Sequence, residues 1–183
     1  MQTSGRTVVL GLGNPVRADD GVGLAVVREL ARLLAQDPVP GVDVLAGTRG
    51  GFELIDLLRG YSRAIIVDCL TLPDPQPGNV RQLGLHAVAG SARLQNVHEI
   101  SVGTAFRLAE RMSIPMPADV VIYAVEAGDT YQIIEDLSPP VRAAVTPLAQ
   151  EIHSRLQRSA PATEPCDDPD FQNRRVLYSP EMS

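Results

Sequence analysis

Six acidic or imidazole side chains follow segments whose sequence predicts strands, and their types could support chemistry. They are Asp19, Asp20, Asp68, His98, Glu126 and Asp129. Among them, Asp20, Asp68 and His98 offer two carboxylates and one imidazole. Such a set suits a borderline divalent metal such as zinc or nickel, and it leaves coordination positions for a substrate or water.

The same residues also have ordinary structural interpretations. Asp20 could simply cap the helix predicted to follow it, and Asp68 could hold a neighbouring backbone turn. Asp19 is interpreted as an acidic residue at a helix start, where it would favour the helix dipole. Position and residue type alone therefore do not decide between a metal site and these structural roles.

Other chemistries find less support in the sequence. There is no GxSxG motif and no Gly-Lys-Ser/Thr phosphate loop. Gly11 and Gly13 lack the spacing of a dinucleotide fingerprint. Cys69 follows Asp68 in a strand, so it points to the opposite face and is predicted to be a core cysteine. His153 lies on the last predicted helix and is expected to be half-buried or at the surface.

The elements that must position these residues alternate along the chain. Apolar runs predict strands at 7–13, 42–47, 62–70 and 119–128, and an edge strand at 80–85. Helical patterns cover 21–36, 52–60, 101–111 and 137–158; in the last, Ser138 is the predicted cap and Pro147 a predicted kink. Alternation of this kind predicts an α/β fold, with a mostly parallel sheet covered by helices on both faces. Ligands bind at the carboxyl ends of such strands, where the candidate residues are expected.

The 183-residue chain is predicted to form one α/β domain over residues 1–158, which carries the candidate site. Residues 159–183 are rich in Pro, Asp and Arg, with little apolar content. They are predicted to be a flexible C-terminal tail.

Charge and composition exclude several partners. The net charge of −6 provides no basic surface for nucleic acid or for an anionic membrane. No apolar run reaches the roughly 20 residues of a membrane-spanning helix, and no signal peptide is recognisable. Cys69 and Cys166 lie far apart and do not suggest a disulfide framework. We therefore expect a cytoplasmic protein.

Several motifs in combination carry a resemblance to a known family. GNPVRADDGVG, IIVD and VHE occur in that order, together with GTRGGFELIDLL and VIYAVEAGDT, across residues 7–157. This pattern resembles the hydrogenase maturation endopeptidases. These proteases remove a C-terminal extension from the large subunit of nickel-iron hydrogenases once nickel is in place.

The resemblance implies specific roles for this chain. It implies a three-layer fold of five twisted strands between helices, with Asp20, Asp68 and His98 as the residues that engage nickel and carry catalysis. The nickel would belong to the large-subunit precursor rather than to the enzyme, although another divalent metal could occupy the same site. Water would attack the scissile bond, and either Asp20 or Asp68 could be the general base. A monomer that meets its substrate briefly is expected.

Two alternatives remain. Peptidyl-tRNA hydrolase shares the GLGNP turn, but it would need a histidine soon after that turn and a basic surface. In this acidic chain the first histidine is His86. The other alternative is a non-proteolytic, metal-binding hydrogenase-assembly protein, since a fold does not fix an activity.

Overall fold

The computed structural model describes residues 5–47, 52–85, 102–128, 130, 133 and 136–159. His86, His98, Asp129 and the predicted tail beyond Ser159 lie outside the described residues. The strands are β1 (Thr7–Leu12), β2 (Val42–Gly47), β3 (Arg63–Leu70), β4 (Val80–Gly84) and β5 (Asp119–Glu126). The α-helices are α1 (Val22–Gln36), α2 (Phe52–Leu58), α3 (Val102–Arg111) and α4 (Pro139–Arg158).

The five strands form a single sheet in the order β2-β1-β3-β5-β4. β1, β2, β3 and β5 are parallel, whereas β4 pairs antiparallel with β5 at the edge. The prediction of a mostly parallel α/β sheet is confirmed, and so are the central positions of β3 and β5 and the edge position of β4. The carboxyl ends of β1, β3 and β5 therefore lie side by side.

Two apolar cores cover the two faces of the sheet, so the fold has three layers. Alternate residues of β3 separate between them: Ile65, Val67 and Cys69 face α1 and α4, whereas Ala64 and Ile66 face α2 and α3. By the same alternation, the side chain of Asp68 leaves β3 on the α2/α3 face. Since both faces are covered, the strands read as nearly continuous apolar runs in the sequence.

A glycine allows α1 to pack closely over the sheet. A Cβ atom at Gly23 would overlap the carbonyl oxygens of Leu12 in β1 and Val67 in β3. Only glycine permits this approach, which places the start of α1 directly over the carboxyl ends of β1 and β3. The residues just before α1 are thereby brought to the same edge.

The starts of α1 and α4 test two capping interpretations: the position of Ser138 is confirmed, whereas the alternative of a cap at Asp20 is not. Asp20 does not cap α1, because Asp19 and Asp20 lie in a short 3-10 helix, Ala18–Gly21, and Gly21 is the N-cap residue. Ser138 does occupy the N-cap position of α4 but makes no side-chain capping bond there. Helix α4 runs through Pro147 to Arg158. Within the described part of the chain, no helix is long and apolar enough to span a membrane.

Candidate functional site

The turn after β1 directs the 3-10 helix back across the carboxyl end of the sheet. The side-chain Oδ1 of Asn14 accepts a hydrogen bond from the backbone N–H of Val16 at 3.1 Å, which stabilises the turn. Gly13 has φ of +148°, and a Cβ there would overlap the carbonyl oxygen of Asp20. The glycine is therefore needed for the close approach of Asp20 to the end of β1.

Asp20 is buried and contacts the third strand. Its exposed fraction is 4%, and its Oδ1 accepts a hydrogen bond from the thiol of Cys69 at 3.0 Å. Burial, and then the negative charges of Asp68 and Asp20, raise the pKa of the Cys69 thiol far above its ordinary value. The thiol therefore stays protonated and acts as the donor. Cys69 is a core cysteine, as predicted, and is not a nucleophile.

Asp68 approaches the same cysteine from the other side of β3. Its Oδ1 accepts a hydrogen bond from the backbone N–H of Cys69 at 2.8 Å, and its side chain is only half-buried. Both aspartates of the predicted set therefore contact Cys69 near the carboxyl end of the central strand. Asp68 is the more exposed of the two carboxylates.

The third member of the predicted set, His98, lies outside the described residues. Within the part of the chain that the structure covers, no group of three His, Cys, Asp or Glu residues is arranged to hold a metal ion. The convergence of His98 with Asp20 and Asp68 therefore stays a prediction.

Asp19 has a role that its sequence position did not indicate. It is completely buried. Its carboxylate accepts hydrogen bonds from the backbone N–H of Ser138 at 2.7 Å, the Ser138 hydroxyl at 2.9 Å and the backbone N–H of Gly128 at 2.9 Å. The prediction was that Asp19 favours the start of α1. In the structure it joins the β1–α1 turn to the end of β5 and the start of α4.

Glu126 was among the residues expected to carry chemistry, but the structure buries it completely. Its carboxylate accepts hydrogen bonds at 2.7 Å from the backbone N–H of Gln76, from the Asn79 amide and from the Arg81 guanidinium. The bond from Gln76, followed by those from Arg81 and Asn79, lowers the pKa of Glu126 despite its burial. Glu126 therefore fixes the loop that follows β3, and it is not a ligand at the surface.

The sequence offered partial signals for these roles. Asp19 and Asp20, adjacent at the end of a strand, indicated the region of the site. They did not indicate which of the two carboxylates makes the structural hydrogen bonds. No local pattern indicated the bond between Cys69 and Asp20, because the two residues are 49 positions apart.

His153 is half-buried, as predicted, and its Nε2 lies 2.9 Å from the carbonyl oxygen of Asp37.

Comparison with known proteins decides the family. A family model described as hydrogenase maturation protease matches residues 24–155, which include Asp68 and the position of His98. The chain belongs to this family. It is an endopeptidase of hydrogenase maturation, as the motifs predicted, and the two alternative functions are not supported.

Individual relatives agree with this assignment. The protease is 28% identical over 170 residues to the hydrogenase expression/formation protein HupD of Bradyrhizobium diazoefficiens, covering 87% of this chain and 86% of that one. The hydrogenase maturating endopeptidase HybD from E. coli is 26% identical, with a TM-score of 0.65 over 84% of this chain and 93% of its own. The NiFe hydrogenase maturation protease HybD from Thermococcus kodakarensis is 26% identical, with a TM-score of 0.57 over 82% and 98%.

Proposed function

We propose that this protease removes the C-terminal extension from the large-subunit precursor of a nickel-iron hydrogenase, and that it recognises the nickel already bound there. Asp20, Asp68 and His98 would be the residues that engage the metal. The observation that carries the proposal is the meeting of Asp20 and Asp68 at Cys69, at the carboxyl end of the central strand. Ligands of open α/β sheets bind at this edge.

In this proposal the nickel is part of the substrate. Two carboxylates and an imidazole can complete the coordination of a metal that the precursor already holds, so that only a metal-loaded precursor is positioned for cleavage. A carboxylate can also accept the proton of the attacking water. Asp68 is half-buried and Asp20 is buried, so solvent reaches Asp68 more readily.

The nickel dependence is tested directly with the substrate. The protease is incubated with nickel-loaded and nickel-free precursor, and the products are weighed by mass spectrometry. We expect release of the extension from the nickel-loaded form alone. If the nickel-free form is cleaved equally well, nickel recognition is wrong; if neither form is cleaved, the proposed substrate is wrong.

The residue roles are tested by substitution. His98→Ala and Asp68→Asn should abolish processing while leaving the melting temperature nearly unchanged. Asp74→Asn is the matched control, because Asp74 is an exposed carboxylate on the loop after β3. A large loss of stability in His98→Ala, or full activity in either site variant, would contradict the assigned roles.

We further propose that the protease acts as a monomer in the cytoplasm. The net charge of −6 opposes self-association. Among the described residues Cys69 is not part of a disulfide, in keeping with a reducing compartment. Sedimentation equilibrium should give the mass of one chain, 19.6 kDa. A stable dimer would overturn the oligomeric part of the proposal.

A further inference from the structure

Asp19 and Asp20 are consecutive buried carboxylates in a 3-10 helix of four residues, Ala18–Gly21. A 3-10 helix has about three residues per turn, so the two side chains leave it about 120° apart. Asp20 reaches Cys69 in β3, whereas Asp19 reaches the backbone between β5 and α4. Two neighbouring residues therefore fix this short helix at two separate places in the fold.

The first residue of the short helix has a strained backbone. Ala18 has φ of +33°, in the left-handed region that residues other than glycine rarely adopt. Such a conformation persists only where the surrounding structure holds it. Asp19 follows directly, and its carboxylate accepts three hydrogen bonds at 2.7 to 2.9 Å. Because bonds to a charged acceptor are stronger than bonds between neutral groups, Asp19 is placed to hold the conformation of Ala18.

Release of Asp19 would displace its neighbour. Without the three bonds, Ala18 can relax to an ordinary backbone conformation, and the residues that follow it in the short helix then turn with it. The carboxylate of Asp20 moves away from the thiol of Cys69 as a result. A displacement of about 1 Å at a reacting group can lower the rate of an enzyme roughly a hundredfold.

We propose that Asp19 is a positioning residue of the cleavage reaction: it holds the strained helix so that Asp20 keeps a fixed place beside Cys69. This inference rests on the proposed function, because Asp20 acts on the nickel-loaded precursor there. Asp19 is completely buried and acts only through Asp20. The precursor binds through a whole protein surface, of which Asp20 is a small part. Loss of Asp19 therefore lowers kcat more than it raises KM.

The position of Asp20 is measured without substrate, through the thiol that it binds. In a Cys166→Ser background, Cys69 is the only thiol of the chain. The frequency of its S–H stretching band in the infrared spectrum falls when the thiol donates a hydrogen bond, so we expect Asp19→Asn to raise it. Glu126→Gln is the matched control and should leave the band unchanged. Glu126 is another completely buried carboxylate that accepts three hydrogen bonds, at the end of β5.

The rate is measured with the same variants on nickel-loaded precursor, under conditions in which urea unfolding shows each of them to be folded. We expect Asp19→Asn to lower kcat about thirtyfold while it changes KM by less than about threefold. Glu126→Gln also loses stability, but it should keep kcat within about a factor of two. The difference between the two variants separates positioning from a general loss of stability.

A second substitution tests the strain itself. Glycine adopts a positive φ without steric cost, so Ala18→Gly removes the tendency of the short helix to relax. Added to Asp19→Asn, it should raise kcat again by roughly tenfold and return the S–H band towards its original frequency. In the unsubstituted protein, where Asp19 already holds the helix, Ala18→Gly should leave the band in place.

Three outcomes would overturn the inference. These are an unchanged S–H band in Asp19→Asn, an equal fall of kcat in Asp19→Asn and Glu126→Gln, and no recovery when Ala18→Gly is added. A failure of the proposed function gives a different result, because the unsubstituted protein would then cleave no nickel-loaded precursor. The infrared measurement needs no substrate and still decides whether Asp19 holds Asp20 in place.

Discussion

The thiol of Cys69 donates a hydrogen bond to Oδ1 of Asp20 over 3.0 Å, in a place where both side chains are almost fully buried. This bond joins the turn after β1 to the central strand. The backbone N–H of the same cysteine donates to Asp68. Cys69 therefore orients two carboxylates that the family resemblance assigns to the metal. Cys69 itself takes no direct part in the reaction.

Replacing Cys69 should impair Asp20 before it impairs the fold. Cys69→Ala removes the donor and leaves the buried Asp20 oxygen without it, so we expect a loss of about 2 kcal/mol in the free energy of unfolding. We also expect at least a tenfold fall in kcat. Cys69→Ser keeps a donor and should recover most of the lost activity. Urea unfolding and single-turnover cleavage give the two values; equal activity in the Ala and Ser variants would contradict an orienting role.

The thiol itself should be unreactive in the native protein. Burial and the neighbouring carboxylates raise the pKa of Cys69, so little thiolate forms at pH 8. In a Cys166→Ser background, we expect no reaction with a disulfide reagent until urea unfolds the chain. The unfolded protein provides the positive control. Rapid labelling of the native state would show that Cys69 is not held as the structure describes.

Asp19 should matter for stability more than any exposed aspartate. Asp19→Asn keeps the shape of the side chain but places an amide N–H₂ against groups that are themselves donors, because Ser138 and Gly128 donate to both carboxylate oxygens. We expect a loss of about 3 kcal/mol in the free energy of unfolding. The control is Asp136→Asn, which alters an exposed ion pair with Arg142 and should change stability by less than about 1 kcal/mol. Similar losses in both variants, measured by urea unfolding, would argue against the Asp19 bridge.

The sheet was predictable from the sequence for a physical reason. Both faces of the sheet are covered, so β1 and β3 appear as continuous apolar runs, and glycines mark the turn where β1 ends. The alternation of strands and helices then leaves few topologies to choose from. The carboxyl edge of the sheet, and with it the region of Asp20 and Asp68, follows from that topology alone.

The partners of the buried polar groups were not predictable in the same way. Asp19, Asp20 and Glu126 are all carboxylates near strand ends, and residue type does not separate a tethering carboxylate from one that meets a substrate. The distinction depends on bonds over 109 and 119 residues for Asp19 and over about 45 to 50 residues for Glu126. Such bonds exist only after the sheet has assembled, so local patterns carry no trace of them.

Glu126 should make stability depend on pH in a defined direction. Its pKa is lowered in the folded protein, so its contribution to stability is fully present above the unfolded pKa of about 4.3 and is lost as pH falls through the folded value. Glu126→Gln should therefore cost about 2 kcal/mol at pH 7, and the difference from the unsubstituted protein should shrink towards pH 3.

The measurement for Glu126 is urea unfolding at a series of pH values. Glu110→Gln, at an exposed position on α3, is the control and should show only a small difference across the range. A Glu126→Gln cost that stays constant from pH 7 to pH 3 would mean that the charge of Glu126 contributes nothing, and that its packing alone matters.

The close approach of α1 to the sheet gives the last prediction. An alanine at Gly23 would place its Cβ against the carbonyl oxygens of Leu12 and Val67, which are backbone atoms and cannot rotate away. The start of α1 must then move outward, so we expect a loss of about 3 kcal/mol in the free energy of unfolding. The same movement would carry Asp20 away from Cys69 and lower the rate of cleavage. Gly84→Ala is the matched control, since among the described residues no atom beyond the adjacent ones in the chain lies within 4 Å of its Cβ position in β4. This variant should be neutral or slightly stabilising. A stable and fully active Gly23→Ala variant would show that this packing does not position the site.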